Sequence, residues 1–361
     1  MKQLRTRQIC FFFLAFLPVI KIFMMPSIVS KIANEDGWLS VSLALFLDFV
    51  TLATLVFTFR KNDTDFFTVL EDFFGKNVSK IIMVIYAVFF FIKALLPISE
   101  QRDFIDLTLY PVLSVPITFI PFFFVLFYLC TKKLRVFGRL SDAIWLISLI
   151  GFVLILALSL TNVDFSAILP IGASGIKNVV RGTFSISNWF GDALYFMFFI
   201  GEYQHKKGDG KKILLSYALS ALLVIAFVIV FYCTFTSIAF RQRFALTEIS
   251  KYTTVIYNLG RFDYIAIFLI LFSSVIALSI PLYFSNRLLK KAFNVKKEWP
   301  FALGICLLIL IFFTFFNEYL ASFEYFATNV FGYFCLVLGK IFPILLCIIK
   351  GVKNAKKRLQ N

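Results

Sequence analysis

Residues Pro18–Gly37, PVIKIFMMPSIVSKIANEDG, decide how the rest of the chain is read. They continue an apolar run that begins at Ile9 and is long enough to cross a bilayer. That run carries Lys21 near its middle, between Pro18 and Pro26. A proline removes a backbone donor and clashes with the preceding turn, so this helix is expected to be kinked or locally unwound. In hydrocarbon, freed carbonyls and a buried ammonium are tolerated only where protein or a water-filled cavity surrounds them. A broken first helix with a charge at mid-depth is therefore a candidate binding site, and the remaining chain must supply its walls and counter-charge.

The chain of 361 residues is 60% hydrophobic and only 16% charged, where a soluble domain carries charge on about a quarter of its residues. Runs of roughly 20 apolar residues, the length that crosses a bilayer core of about 30 Å, recur throughout. The composition is that of a polytopic, all-α membrane protein with one domain over residues 1–361. The 50 phenylalanines, alongside abundant Ile, Lys and Asn, fit an AT-rich coding sequence better than an aromatic function. The six cysteines lie in or beside apolar segments without CxxC spacing, so neither a disulfide framework nor a metal site is expected. The one histidine, His205, falls in a polar loop. There is no phosphate-cradling glycine loop and no histidine base inside the membrane, so no enzyme chemistry and no cofactor are expected. Lys2, Arg5 and Arg7 precede the first apolar run like a signal peptide, but no small-residue cleavage site follows, which makes this an uncleaved first helix.

About ten transmembrane helices are expected, at 8–30, 38–59, 79–109, 112–130, 140–161, 183–203, 212–238, 254–286, 300–317 and 330–350. The third and eighth exceed a perpendicular crossing and are expected to tilt or to extend beyond the bilayer. With this division, 25 of the 36 Lys and Arg fall in loops or the end parts of spans on the side of the N-terminus, and eight on the opposite side. The positive-inside rule then puts both termini in the cytoplasm, at the cell membrane. The net charge of +16 is thus a matter of topology and lipid contact, and no nucleic-acid partner is implied. Two outer loops, Asp164–Gly182 and Ala239–Thr253, are long enough to form interfacial helices or a lid.

The sixth span repeats the irregularity of the first. Ser185–Gly201, SISNWFGDALYFMFFIG, is interrupted by Asn188, Gly191 and Asp192. The odd number of intervening spans makes this helix enter the membrane from the opposite side. Two five-helix halves, each opening with a discontinuous helix and related by inversion, form a known transporter architecture with its site where the breaks meet. The expected fold is therefore a 5+5 inverted repeat with discontinuous helices 1 and 6.

The segment from Lys21 through MPSIVSKIANEDGWLSV resembles the first helix and following turn of the spore germination permease subunits, the GerAB-type branch of the amino acid–polyamine–organocation superfamily. The proline near the outer end of helix 1 is Pro26, and the Asp-Gly-Trp triplet about ten residues later is Asp36-Gly37-Trp38. Where many relatives carry glycines just before that proline, this chain has Val19, Ile20 and Lys21. The resemblance implies a small zwitterionic substrate, an amino acid or germinant, that is transported or sensed. It also implies other germinant-receptor subunits as partners and the spore inner membrane as a location.

Lys21 and Asp192 are the leading candidates. An isolated charge at mid-membrane costs about 2.5–3.5 kcal/mol on insertion scales, and opposite charges on two facing breaks would offset that. Lys21, with Ile22 beside it, can hold a substrate carboxylate or act as a built-in cation; Asp192 can hold an amine or exchange a proton. The alternative is a permanent salt bridge that only locks the two helices. Ser187, Asn188 and Gly191 offer half-helix backbone groups to a charged ligand, or else merely satisfy a kink. Tyr195 and Phe199 follow Asp192 at helical spacing and can line the same cavity. Asp48 and Lys93, both mid-span, are expected to pair with each other or with Lys21, or to relay a proton. Ser273, Ser274 and Ser279 can coordinate an ion or substrate, or serve as small packing residues. Lys340 is expected to snorkel to the cytoplasmic interface. A non-transporting binding or scaffold subunit is the alternative function; a channel is disfavoured by the lack of a ring of like charges.

Overall fold

A computed structural model describes residues 4–59, 65–109, 115–160, 163–203, 205–251 and 263–360. The parts of the expected fourth and eighth spans at 112–114 and 254–262 lie outside these residues, as do the loop cations Lys2, Arg60, Lys61 and Arg261. The fold is all-α, and among the described residues there is no strand beyond one isolated bridge between Leu4 and Tyr203.

The helices, in chain order, are α1 (Thr6–Phe16), α2 (Met25–Ala33), α3 (Gly37–Thr58), α4 (Phe66–Phe104), α5 (Val115–Cys130), α6 (Leu134–Ser159), α7 (Gly175–Ser185), α8 (Tyr195–Phe199), α9 (Asp209–Phe235), α10 (Ala245–Lys251), α11 (Asp263–Ala292), α12 (Trp299–Phe315), α13 (Leu320–Asn329), α14 (Phe331–Leu336) and α15 (Phe342–Gln360). Among the described residues, six stretches are long and apolar enough to cross a membrane, at 25–58, 66–107, 134–159, 209–241, 267–292 and 331–351. A seventh arises if α12 and α13, bent by 118° at their junction, count as one. Helix length thus accounts for fewer spans than the ten expected. The first and sixth expected spans fall short because each is broken into two helices, and the regular part of α5 is only 16 residues long.

The core is apolar, as in a soluble protein, but much of the surface is apolar too. Phe46 and Phe57 of α3, Ile81 of α4, Phe124 of α5, Val153 of α6, Leu222 of α9, Phe272 of α11 and Leu307 of α12 are all exposed, while Lys21, Asp48, Lys93, Glu100 and Asp192 are buried. Large apolar faces outside and satisfied charges inside are what a bilayer solvent demands. The protein is a multi-pass membrane protein.

At the centre, α1 packs against α6, α9 and α11, while α2 packs against α3 and α7. α4 and α11 pack along each other. Several boundaries differ from those expected. α4 starts earlier than residue 79, because the Asp65 carboxylate caps the Thr68 amide at 3.0 Å, and it bends at Gly75, whose φ of +75° leaves the helical region. The 164–182 loop is partly helical. A 3₁₀ turn at Phe165–Ile168 leads to α7, which begins at Gly175, eight residues before the expected span. The 239–253 loop holds a 3₁₀ turn and α10.

Candidate functional site

The first break runs from Leu17 to Met24, with a 3₁₀ turn at Val19–Lys21. Once the helix stops, the Leu17 carbonyl loses its intrahelical donor, and the Lys21 ammonium takes that place at 2.9 Å. Pro26 denies a donor to the carbonyl four residues back, that of Ile22, which instead accepts the Leu246 amide at 3.1 Å. The Phe23 carbonyl accepts the Ala245 amide at 2.9 Å. The oxygen of Ile22 is therefore held by the start of α10, and its side chain is fully buried.

The second break runs from Ile186 to Leu194. It consists of a 3₁₀ turn at Ser187–Trp189, extended backbone at Phe190, Gly191 at φ +95°, and a second 3₁₀ turn at Asp192–Leu194. The left-handed φ is what admits only glycine readily at position 191. Its amide donates to Asp48 Oδ2 of α3 at 2.6 Å.

The two breaks face each other. Lys21 Nζ donates to Asp192 Oδ2 at 2.5 Å, and neither side chain is more than 4% exposed. Nζ also lies 5.3 Å from the centre of the Phe190 ring, a cation–π distance. The second buried pair is not the expected one. Asp48 and Lys93 do not bond; Asp48 Oδ1 accepts from Lys340, which a π-turn at Val337–Ile341 directs inward rather than toward the interface. Lys93 donates to the backbone carbonyls of Asn188, at 2.5 Å, and of Phe190. Pro97 in α4 strips the Lys93 carbonyl of its own helical donor, and Asn188 Nδ2 reaches it at 3.4 Å. The Asn188 Oδ1 atom is buried without a partner.

Lys21 and Lys340 thus pair with the carboxylates of Asp192 and Asp48, while Lys93 is held by backbone carbonyls. A further acid, Glu100, accepts from Trp189 Nε1 at 2.9 Å, and its second oxygen lacks a partner. Glu100 and Trp189 were not singled out from sequence, although an acid inside the expected third span is itself a signal.

On the inner side of the Lys21–Asp192 pair is a cavity of about 10 Å³, near the size of one water, bordered by Phe12, Leu17 and Ile20 of the first broken helix, Asp192 and Tyr195 of the second, and Ala277 and Ile280 of α11. The Tyr195 ring stacks on Phe284 with centroids 5.4 Å apart, and Phe199 packs edge-on to Phe12 at 5.1 Å. Ser273 and Ser274 stand apart from the charges. Ser273 bonds the Leu269 carbonyl at 3.2 Å, and Ser274 bonds the Leu271 carbonyl and Gln101 Oε1. Ser279 likewise bonds Ile276 within its own helix.

The Asp36-Gly37 motif joins α2 to the entry of α7. Asp36 Oδ1 and Oδ2 accept the amides of Gly172 and Ser174 at 2.8 and 2.7 Å, just ahead of α7. Ser174 Oγ returns a bond to the Ala33 carbonyl at 2.6 Å. A side chain at Gly37 would come within 2.3 Å of the Tyr232 hydroxyl, which itself donates to the Pro26 carbonyl.

No curated protein matches the chain. A family model described as spore germination protein, the spore permease family, matches residues 3–323 and takes in both helix breaks and the Asp36-Gly37 clamp. The chain belongs to the spore germination permease family.

Proposed function

We propose that the protein binds a small zwitterionic amino acid where the two helix breaks meet, and that it acts in germination by transporting or sensing that ligand. The observation that carries this reading is the Lys21–Asp192 contact, which spans the two discontinuous helices at a buried position. A ligand carboxylate would replace Asp192 at Lys21, with the Lys93 side chain, held at the same break, as a second donor. A ligand ammonium would face Asp192 and the unpartnered Asn188 Oδ1, with Gly191 and Tyr195 bordering the site. Asp48 and Lys340 would hold the second break in shape, while Ile22, Ser273 and Ser274 stay with packing and backbone satisfaction.

In this reading the chain crosses the membrane ten times as two inverted five-helix halves. α1–α2 and α7–α8 count as one broken span each, α5 and α12 as one each, and both termini are cytoplasmic. The paired breaks and the loop-charge bias support this division. Membership of a germination family supports the spore inner membrane as the location and other germinant-receptor subunits as partners.

A thermal-shift screen of the purified protein against the common amino acids tests the proposal. A ligand at 100 times its Kd adds about 2.7 kcal/mol of stability, and the hit is expected to vanish in Lys21→Met. The absence of a shift with any amino acid, in a folded sample, would refute ligand binding at the breaks and leave the pair as a static lock in a scaffold subunit.

A further inference from the structure

A second cavity, of about 450 Å³, lies away from the breaks on the side that holds the N-terminus. It opens where α5 ends, α6 begins and α11 turns into α12, so three apolar helices terminate around it. Trp299, at the start of α12, is half exposed beside this turn, as aromatic residues are at a bilayer interface.

The charges in its wall are unequally used. Arg287 donates to Glu202, and Lys290 to Glu298 at 2.7 Å. The third wall carboxylate, Asp65, caps Thr68. Lys133 and Lys291 line the same space, and among the described residues neither bonds a carboxylate; the Lys291 ammonium instead lies 5.6 Å from the Phe67 ring centre. At the floor, Asn286 is 2% exposed, gives Nδ2 to the Cys130 carbonyl at 2.8 Å, and keeps an Oδ1 atom without a partner.

Two uncommitted ammonium groups suit an anion with several oxygens, and lysine serves phosphate as a point charge. A buried acceptor with no donor suits a hydroxyl on the same ligand. Phe67 and Leu134 supply apolar wall for what the hydroxyl-bearing phosphate is attached to. Basic pockets between helices at the bilayer surface are places where anionic headgroups lodge.

We propose that this cavity binds a glycerophosphate group, with Lys133 and Lys291 neutralising the phosphate and Asn286 Oδ1 accepting from a glycerol hydroxyl. The chemistry is shared by the headgroup of phosphatidylglycerol and by free glycerol 3-phosphate. The proposal is independent of what the central site binds.

The test compares the full-length protein with Lys133→Gln/Lys291→Gln and with Lys206→Gln/Lys207→Gln, which removes the same charge from an exposed loop outside the cavity. Each is titrated in detergent with phosphatidylglycerol, phosphatidylcholine and glycerol 3-phosphate, and thermal stability and bound lipid are read. Phosphatidylglycerol, and not phosphatidylcholine, is expected to stabilise the wild type and the loop variant. The cavity double variant should need about 30-fold more lipid for the same shift. If that variant does not fold, the single Lys133→Gln and Lys291→Gln changes should each weaken the response about fivefold. A response to glycerol 3-phosphate with the same variant dependence supports the site with a soluble ligand. A phosphatidylglycerol response that survives in the cavity variants, or a wild type that responds to neither probe, overturns the proposal.

Discussion

Replacing Lys340 with methionine removes one partner of a buried ion pair and keeps most of the side-chain volume. Asp48 is fully buried and Lys340 is 9% exposed. In the variant, the Asp48 carboxylate keeps the Gly191 amide on Oδ2, at 2.6 Å, and the buried Tyr217 hydroxyl beside it, but loses its paired cation. Stripping one partner from a buried pair destabilises by about 3–5 kcal/mol, which is roughly a 150- to 5000-fold fall in the folded-to-unfolded ratio. The double variant Lys340→Met/Asp48→Asn removes both charges, and its amide oxygen still accepts from Gly191. It should therefore be more stable than Lys340→Met alone, with a coupling energy of about 2 kcal/mol or more in the double-mutant cycle. Unfolding by SDS titration in mixed micelles measures all four proteins. A Lys340→Met variant within about 0.5 kcal/mol of wild type, or effects that simply add, would refute a structural role for this pair.

Three further outcomes are expected. Gly191→Ala forces a side chain onto φ +95° and should lower stability by about 1–2 kcal/mol in the same titration, with no void created to account for it. Asp36→Ala removes the acceptor of two amides, so hydrogen exchange at Gly172 and Ser174 should quicken, with about 1.5–3 kcal/mol lost per charged hydrogen bond. The Ser166 hydroxyl and amide hold the exposed Asp164 carboxyl below its ordinary value. A depressed folded pKa contributes stability above the unfolded value, about 3.9, that is lost as pH falls through the folded one. Exchange at the Ser166 amide should therefore rise on acidification below about pH 4 in the wild type and stay level with pH in Asp164→Ala, once the intrinsic rate is divided out.

Both broken helices were legible as such. Proline positions, a lysine inside an apolar run, and the Asn188–Gly191–Asp192 interruption are local facts, and their structural meaning is local too. Partner choice is not local. Hydropathy says that Asp48, Lys93 and Lys340 each need something, but not that a π-turn rotates Lys340 onto Asp48 or that Pro97 opens a place for Asn188 beside Lys93. The start of α7 was hidden for a related reason. Pro170, Gly172 and Gly175 signal a loop, and Gly175 does have a left-handed φ of +77°, but it is the first residue of the helix. Helix length was the weakest guide to span number, because the most informative spans are the broken ones.

The Asp36 clamp fastens α2 to the entry of α7, and a side chain at Gly182 of α7 would come within 3.0 Å of Val29 Cγ2 of α2, so these two halves of the broken helices are pressed together. At the opposite end the Leu4 amide bonds the Glu202 carbonyl at 3.0 Å, and Phe12 meets Tyr195 and Phe199, which ties α1 to α8. Each discontinuous helix thus contributes one end to an upper block and one to a lower block. The unwound segments are the only covalent links between the blocks within these two helices, and Lys21 and Asp192 sit on that seam. If the proposed ligand parts these two charges, it would loosen that joint while leaving the contacts within each block in place.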